Sequence, residues 1–160
     1  MQNHTVKFFS TAVLALVGII TLNSTSLAEE ASRNFQVVDN VAIYLGMMPA
    51  QIVKGHPRDH TESKMHGGVD AGNRREHLVI ALFENSTGKR IEKAKVTGEM
   101  TAPGIRSQRK ILEPMLIAGA VTYGNYFNVL GKSTYHIKIE IVLPGESVIE
   151  AKFLHKHFGK

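Results

Sequence analysis

The stretch Tyr135–Ile141, YHIKIEI, alternates apolar and polar side chains without a break. A repeat of two residues is typical of a β-strand that buries one face. The sequence then turns at Leu143–Glu146, LPGE, where proline fixes its own φ and glycine permits a positive φ. The segment Ile149–Phe153 resumes the alternation, with isoleucine, alanine and phenylalanine on one face. The two runs therefore predict a β-hairpin whose apolar faces point into a core.

The rest of the chain also consists of short strand-like segments separated by turn residues. His77–Phe83 is apolar on both faces after its first residue, which favours a central strand that is covered on both sides. Further strands are predicted at Phe35–Leu45, Ile91–Met100, Gln108–Leu112 and Val121–Leu130. We therefore expect an all-β domain, a β-sandwich of about seven short antiparallel strands.

The N-terminal segment has the three parts of a secretory signal peptide. Lys7 supplies the positive charge, Phe8–Ala28 is uncharged, and Ser26-Leu27-Ala28 offers small residues at a cleavage position. An uncleaved membrane anchor is the alternative, but a spanning helix needs about 20 apolar residues, and polar residues interrupt this run. We expect residues 1–28 to be removed and residues 29–160 to form a soluble periplasmic domain.

The absence of cysteine restricts the possible chemistry. A disulfide framework and a thiolate metal site are both excluded, and so is a lipid-modified cysteine, so the protein is not expected to be a lipoprotein. The net charge of +5 at pH 7 is spread along the chain, and this argues against nucleic-acid binding. No serine-nucleophile elbow, zinc-protease motif or phosphate loop is present, so we expect no enzymatic activity.

The histidines of the chain suggest a different function. A long polar loop is expected at residues 55–76, and loops of this length are usually functional or disordered. Imidazole and thioether groups suit copper, and imidazole also suits iron and zinc. The loop carries the following candidates: His56, His60, Met65 and His66. The alternative is a solvated surface loop without a metal.

Two more histidines close the chain, His155 and His157. They continue the inward side of the last predicted strand, because they share the parity of Ile149, Ala151 and Phe153. Both imidazoles should therefore leave the sheet on its core side. They are either metal ligands or a half-buried cap on the hydrophobic core.

Several segments together resemble the periplasmic iron-transport proteins of the FetP-like family. The likeness begins at Val41–Leu45 and continues at His77-Leu78, which opens a central strand. It is strongest from Pro114-Met115 through Tyr123–Tyr126 to Pro144. The resemblance implies an immunoglobulin-like β-sandwich that binds copper and iron and acts beside an inner-membrane iron permease. A permease or oxidase would then receive the metal. The resemblance also implies a homodimer.

The same resemblance suggests His77 and Met115 as copper ligands. Two other family ligands are replaced here, a histidine by Thr122 and a carboxylate by Val79. The family's histidine-bearing loop between the last two strands is reduced to the short turn at residues 143–146. If a metal site is retained, its remaining ligands would come from Met65 and His66, or from His155 and His157.

Two hypotheses follow from the sequence. In the first, the protein is a periplasmic accessory protein that binds copper or iron and supports metal uptake or delivery. In the second, it is a metal-free binding or assembly module of a membrane complex, because Thr122 and Val79 cannot replace the missing ligands.

Overall fold

The computed structural model describes residues 34–50, 52 and 74–159. The predicted signal peptide and most of the predicted polar loop lie outside the described residues. Within the described part the chain forms eight β-strands. They are β1 (Phe35–Val38), β2 (Val41–Pro49), β3 (Arg75–Glu84), β4 (Lys95–Ala102), β5 (Ile105–Ile117), β6 (Ala120–Asn128), β7 (Ser133–Val142) and β8 (Val148–His157). No helix in this part is long and apolar enough to cross a membrane.

The strands pair only antiparallel, in the order β1-β2-β3-β6-β5-β4-β7-β8. The long strand β5 connects two layers, because its first part pairs with β4 and its last part, from Glu113, pairs with β6. One layer contains β1, β2, β3 and β6, and the other contains β4, β7 and β8. The predicted all-β antiparallel sandwich is confirmed.

The strand number exceeds the prediction by one because Phe35–Leu45 is not a single strand. Asp39 and Asn40 have φ values of 47° and 61° and separate β1 from β2. Two consecutive residues with positive φ form the tight turn that matches the twist of a hairpin, and aspartate and asparagine tolerate this conformation. The pair was a recognisable turn signal in the sequence.

The core lies between the two layers and follows the predicted alternation. Tyr135, Ile137, Ile139 and Ile141 of β7 are at most 1% exposed. Inward residues of β3 pack against them in the same cluster: Leu78, Ile80 and Leu82. The turn at residues 143–146 is also confirmed, since the Glu146 backbone N–H donates to the Leu143 carbonyl at 3.1 Å.

A side chain links the two outermost strands and nearly closes the sheet. The Gln36 amide of β1 donates to the Lys152 carbonyl of β8, and its oxygen accepts the Lys152 backbone N–H at 3.3 Å. Backbone groups at a sheet edge need hydrogen-bond partners. The Gln36 amide provides them for both the N–H and the carbonyl of Lys152.

The central strand β3 begins at Arg75, two residues before the predicted start at His77. Arg75 and Glu76 therefore belong to a strand and not to the polar loop. The sheet itself explains the extension, because Glu76 pairs with Pro49 of β2 on one side and with Phe127 of β6 on the other. Neighbouring strands override the polar composition of this pair.

Candidate metal centres

Successive residues of β3 point to opposite faces of its layer. Leu78, Ile80 and Leu82 enter the core between the layers, so Glu76 points inward with them. His77 and Val79 point to the other side, which we call the outer face. The strand start therefore divides two candidate ligands, Glu76 and His77, between separate environments.

His77 lies in a closely packed part of the outer face. Its side chain is 1% exposed, and its ring stacks on that of Tyr126 in the next strand, with centroids 4.6 Å apart and planes 25° apart. The two residues are register partners across β3 and β6. Stacking holds the imidazole in one orientation, which favours a preformed ligand.

Met115 approaches His77 from the other side of β6. Gly124 lies between them in register, paired with Val79 of β3 and with Glu113 of β5. A Cβ atom at Gly124 would overlap the methyl group of Met115 and would lie 2.9 Å from Nε2 of His77. The glycine therefore opens the space in which the thioether and the imidazole converge.

The chemistry of this pair fits copper. A thioether and an imidazole are soft and borderline ligands, and together they suit Cu(I) better than they suit a hard ion. Two further groups share the outer face. Met48 pairs directly with His77 across β2 and β3, and Glu113 is exposed two residues before Met115. Neither residue is among the ligands predicted from the sequence.

The two positions at which family ligands are replaced, Val79 and Thr122, also lie on the outer face. Val79 pairs with Gly124, and Thr122 pairs with Met115. The Thr122 hydroxyl donates to the Met115 carbonyl at 3.4 Å, so it acts on the backbone of β5. The four positions marked by the family resemblance thus surround one point of the sheet, and two of them, His77 and Met115, carry side chains that can bind a metal.

A second group of possible ligands lies on the core side, at one end of the sandwich. Nε2 of His155 is 2.8 Å from Oε2 of Glu76, and Nδ1 of His157 is 2.8 Å from Oε1. Each carboxylate oxygen thus contacts one imidazole. We call these three residues the inner cluster. Their ligand atoms all lie within 4.8 Å of one another.

The inner cluster is partly sheltered from water. The Glu76 side chain is 8% exposed and each histidine side chain is 22% exposed. Burial raises the pKa of Glu76, but the contacts with His155 and then His157 outweigh it and hold the pKa below the usual value. The carboxylate is therefore ionised at neutral pH and attracts protonated imidazole or a cation.

The predicted inward direction of His155 and His157 is confirmed, because both meet the inward residue Glu76. Their predicted role as further ligands of an ion bound by His77 and Met115 is not supported. The inner cluster and the outer-face pair lie on opposite faces of β3, so no single ion reaches both. The other candidates, His56, His60, Met65 and His66, lie outside the described residues.

Sequence reasoning missed Glu76, although a signal was present. A glutamate with the same parity as Leu78, Ile80 and Leu82 points into the core once the strand is extended back to it. Buried carboxylates need partners, and the last strand supplied two inward histidines. The polar composition of the preceding loop concealed this relation.

Comparison with solved structures identifies the fold. A DUF4426 family protein from Pseudomonas aeruginosa PAO1 matches with a TM-score of 0.60 and 13% identity, over 79% of this chain and 97% of that protein. FetP from uropathogenic Escherichia coli strain F11 matches with a TM-score of 0.61 and 14% identity, over 79% and 93%. Copper-reconstituted P19 from Campylobacter jejuni matches with a TM-score of 0.60 and 12% identity, over 78% and 93%.

No protein-family model and no curated protein sequence matches this chain. The likeness is therefore carried by the arrangement of strands, because fewer than one residue in six is identical to FetP or P19. The resemblance inferred from the sequence is confirmed at this level: the chain has the β-sandwich fold of the FetP and P19 proteins.

Proposed function

We propose that this protein is an exported copper-binding protein of the periplasm that holds Cu(I) with His77 and Met115. It supports uptake or delivery of the metal and catalyses no covalent chemistry. Iron as a second cargo, an inner-membrane permease or oxidase as recipient, and a homodimeric state follow from the family resemblance and belong to the same proposal.

One observation carries the proposal, the convergence of the Met115 methyl group and His77 Nε2 above Gly124. The two residues come from strands that are separated by β6, so no local sequence preference requires them to meet. Both are almost fully buried, at 3% and 1% exposure. Burying an imidazole beside a thioether for packing alone is energetically unfavourable, because the polar ring loses contact with water.

The structural neighbours support copper as the metal. P19 has been solved in a copper-reconstituted form, and variants of P19 and FetP have been solved with copper bound. Those proteins share the fold in which His77 and Met115 meet. This chain has Val79 in place of a family carboxylate and Thr122 in place of a family imidazole. The loss of these two ligands shifts the expected preference from Cu(II) towards Cu(I).

Met48 is the best-placed additional ligand for Cu(I). It lies opposite His77 on the outer face, and directly paired residues have Cβ atoms about 4.5–5.5 Å apart. Its neighbour Met47 packs against the core instead, as the alternation of a strand requires. Two thioethers and one imidazole would give a three-coordinate soft site.

The test is a Cu(I) titration against a chromophoric chelator, with the protein purified without a histidine tag. We expect one Cu(I) per chain. Met115→Leu should weaken binding by about 100-fold or more, since even groups that only orient a ligand contribute about 10–100-fold. Met100→Leu is the matched control, because Met100 is equally buried but lies in the core cluster on β4. His77→Gln should also weaken binding, and His136→Gln, on the exposed side of β7, should not.

The metal-free binding module remains a second candidate because Val79 and Thr122 occupy two of the four family positions. It predicts that the protein binds Cu(I) no more tightly than an exposed histidine such as His136 would bind it. Equal affinities in the wild-type protein, Met115→Leu and Met100→Leu would reject the copper proposal and support this alternative.

A further inference from the structure

The inner cluster has features that a merely structural ion pair does not require. Three potential ligands from two strands, β3 and β8, converge at the end of the sandwich where the two layers meet. Each histidine directs a different type of nitrogen to the carboxylate, Nε2 from His155 and Nδ1 from His157. One histidine would be sufficient to neutralise Glu76.

Two atoms of the cluster are buried without a well-directed hydrogen bond. Oε2 of Glu76 and Nε2 of His155 are inaccessible to water and make no hydrogen bond of acceptable geometry among the described residues, although they are 2.8 Å apart. Buried polar atoms are normally satisfied. A cation that binds both atoms would satisfy them at the same time.

The dimensions allow such an ion. A tetrahedral zinc ion with bonds of about 2.0–2.2 Å places its ligand atoms about 3.4 Å apart. The three ligand atoms are already within 4.8 Å of one another. With Oε2 as the carboxylate ligand, its 2.8 Å contact with His155 Nε2 would open by only about 0.6 Å to admit the ion. Rotation of the partly exposed histidine side chains can provide this movement.

We propose that Glu76, His155 and His157 form a second metal site that takes a divalent ion of the Zn²⁺ or Cu²⁺ type. Two imidazoles and one carboxylate, without sulfur, select borderline divalent ions over Cu(I). The same ligand set is used in zinc sites that keep a fourth position for water or another small ligand. The two centres on opposite faces of β3 therefore differ in the class of metal they bind.

This inference does not depend on the proposed Cu(I) site, because the two ligand sets share no residue. The test is a Zn²⁺ titration against a competing chelator, with the whole chain purified without a tag. The wild-type protein should bind one Zn²⁺ per chain. His157→Gln should weaken Zn²⁺ binding by about 100-fold or more and should leave Cu(I) binding unchanged, whereas Met115→Leu should have the opposite effect. His136→Gln should change neither.

A second measurement is independent of whether the variants fold. Imidazole ¹⁵N resonances of the wild-type protein should shift for His155 and His157 when one equivalent of Zn²⁺ is added, and the resonances of His77 should stay in place. Zn²⁺ that shifts His77 instead, or that binds His157→Gln as tightly as the wild-type protein, would overturn the inference. The three residues would then be an ion pair that fixes β8 to β3.

Discussion

Gly124 is the most informative single position, because it is predicted to be essential for a reason that lies in other strands. It is in the extended backbone of β6, and a Cβ atom there would lie 2.8 Å from the Leu78 carbonyl and 2.9 Å from His77 Nε2, besides overlapping the Met115 methyl group. Contacts below 3.0 Å cannot persist. The carbonyl belongs to the backbone of β3, so a side-chain rotation cannot relieve that contact.

The expected effect of Gly124→Ala is the difference between two opposing contributions. Replacing glycine by alanine restricts the unfolded chain, which stabilises the fold by about 0.4–1 kcal/mol. Overpacking at a closely packed position costs about 1–3 kcal/mol. We expect a net destabilisation of about 1–2 kcal/mol. The Met115 methyl group must also move away, so the affinity for Cu(I) should fall although no ligand has been removed.

Gly46→Ala is the matched control. Gly46 lies on the outer face in the same row of residues, opposite Val79, but its Cβ would meet nothing closer than 3.9 Å. The chain has no tryptophan, so urea unfolding should be followed by far-ultraviolet circular dichroism or tyrosine fluorescence, together with the Cu(I) titration. Equal stability and equal Cu(I) affinity of the two alanine variants would refute the argument that Gly124 maintains the space shared by His77 and Met115.

Two further predictions concern stability. Tyr135→Phe should destabilise the fold by about 1–2 kcal/mol, because the buried hydroxyl of Tyr135 accepts the Leu130 backbone N–H at 2.7 Å. Tyr44→Phe, at a residue that is 47% exposed, should change the free energy of unfolding very little. Equal losses of the two variants in urea unfolding would contradict this prediction. The pKa of Glu140 is lowered from 4.5 to about 2 by Arg109 and a neighbouring lysine, so its stabilising effect is complete above pH 4.5 and is lost as the pH falls towards 2. Glu140→Gln should therefore lose less stability than the wild-type protein over this pH range, and parallel curves would contradict the assignment.

The strands were largely predictable because each depends on nearby residues. The alternation in Tyr135–Ile141, the turn at residues 143–146 and the apolar run after His77 fix the elements without knowledge of their partners. The extension of β3 to Arg75 was not predictable in this way. Glu76 becomes part of a strand because β2 and β6 supply pairing partners on both sides, and pairing between distant segments leaves no periodic trace in a short polar sequence.

The candidate sites divide in the same manner. The inward direction of His155 and His157 follows from the parity of β8 and was derived from the sequence. The expectation that His77 and Met115 lie close together came from a family resemblance and not from their spacing, because the two residues are brought together only through β6. Glu76 was missed as the partner of the two histidines, because its inward parity becomes visible only when β3 is extended back beyond His77, and that extension depends on pairing with β2 and β6.

The sequence by itself determined which chemistry is available and which side of each strand a residue occupies. Without cysteine, any metal must be bound by imidazole, thioether or carboxylate, and a repeat of two residues assigns each side chain to one face. Only the tertiary structure decided which faces meet. It placed adjacent residues, Glu76 and His77, in two separate candidate sites, and it brought Glu76 into contact with His155 and His157, because the register between strands is set by packing of the whole sandwich.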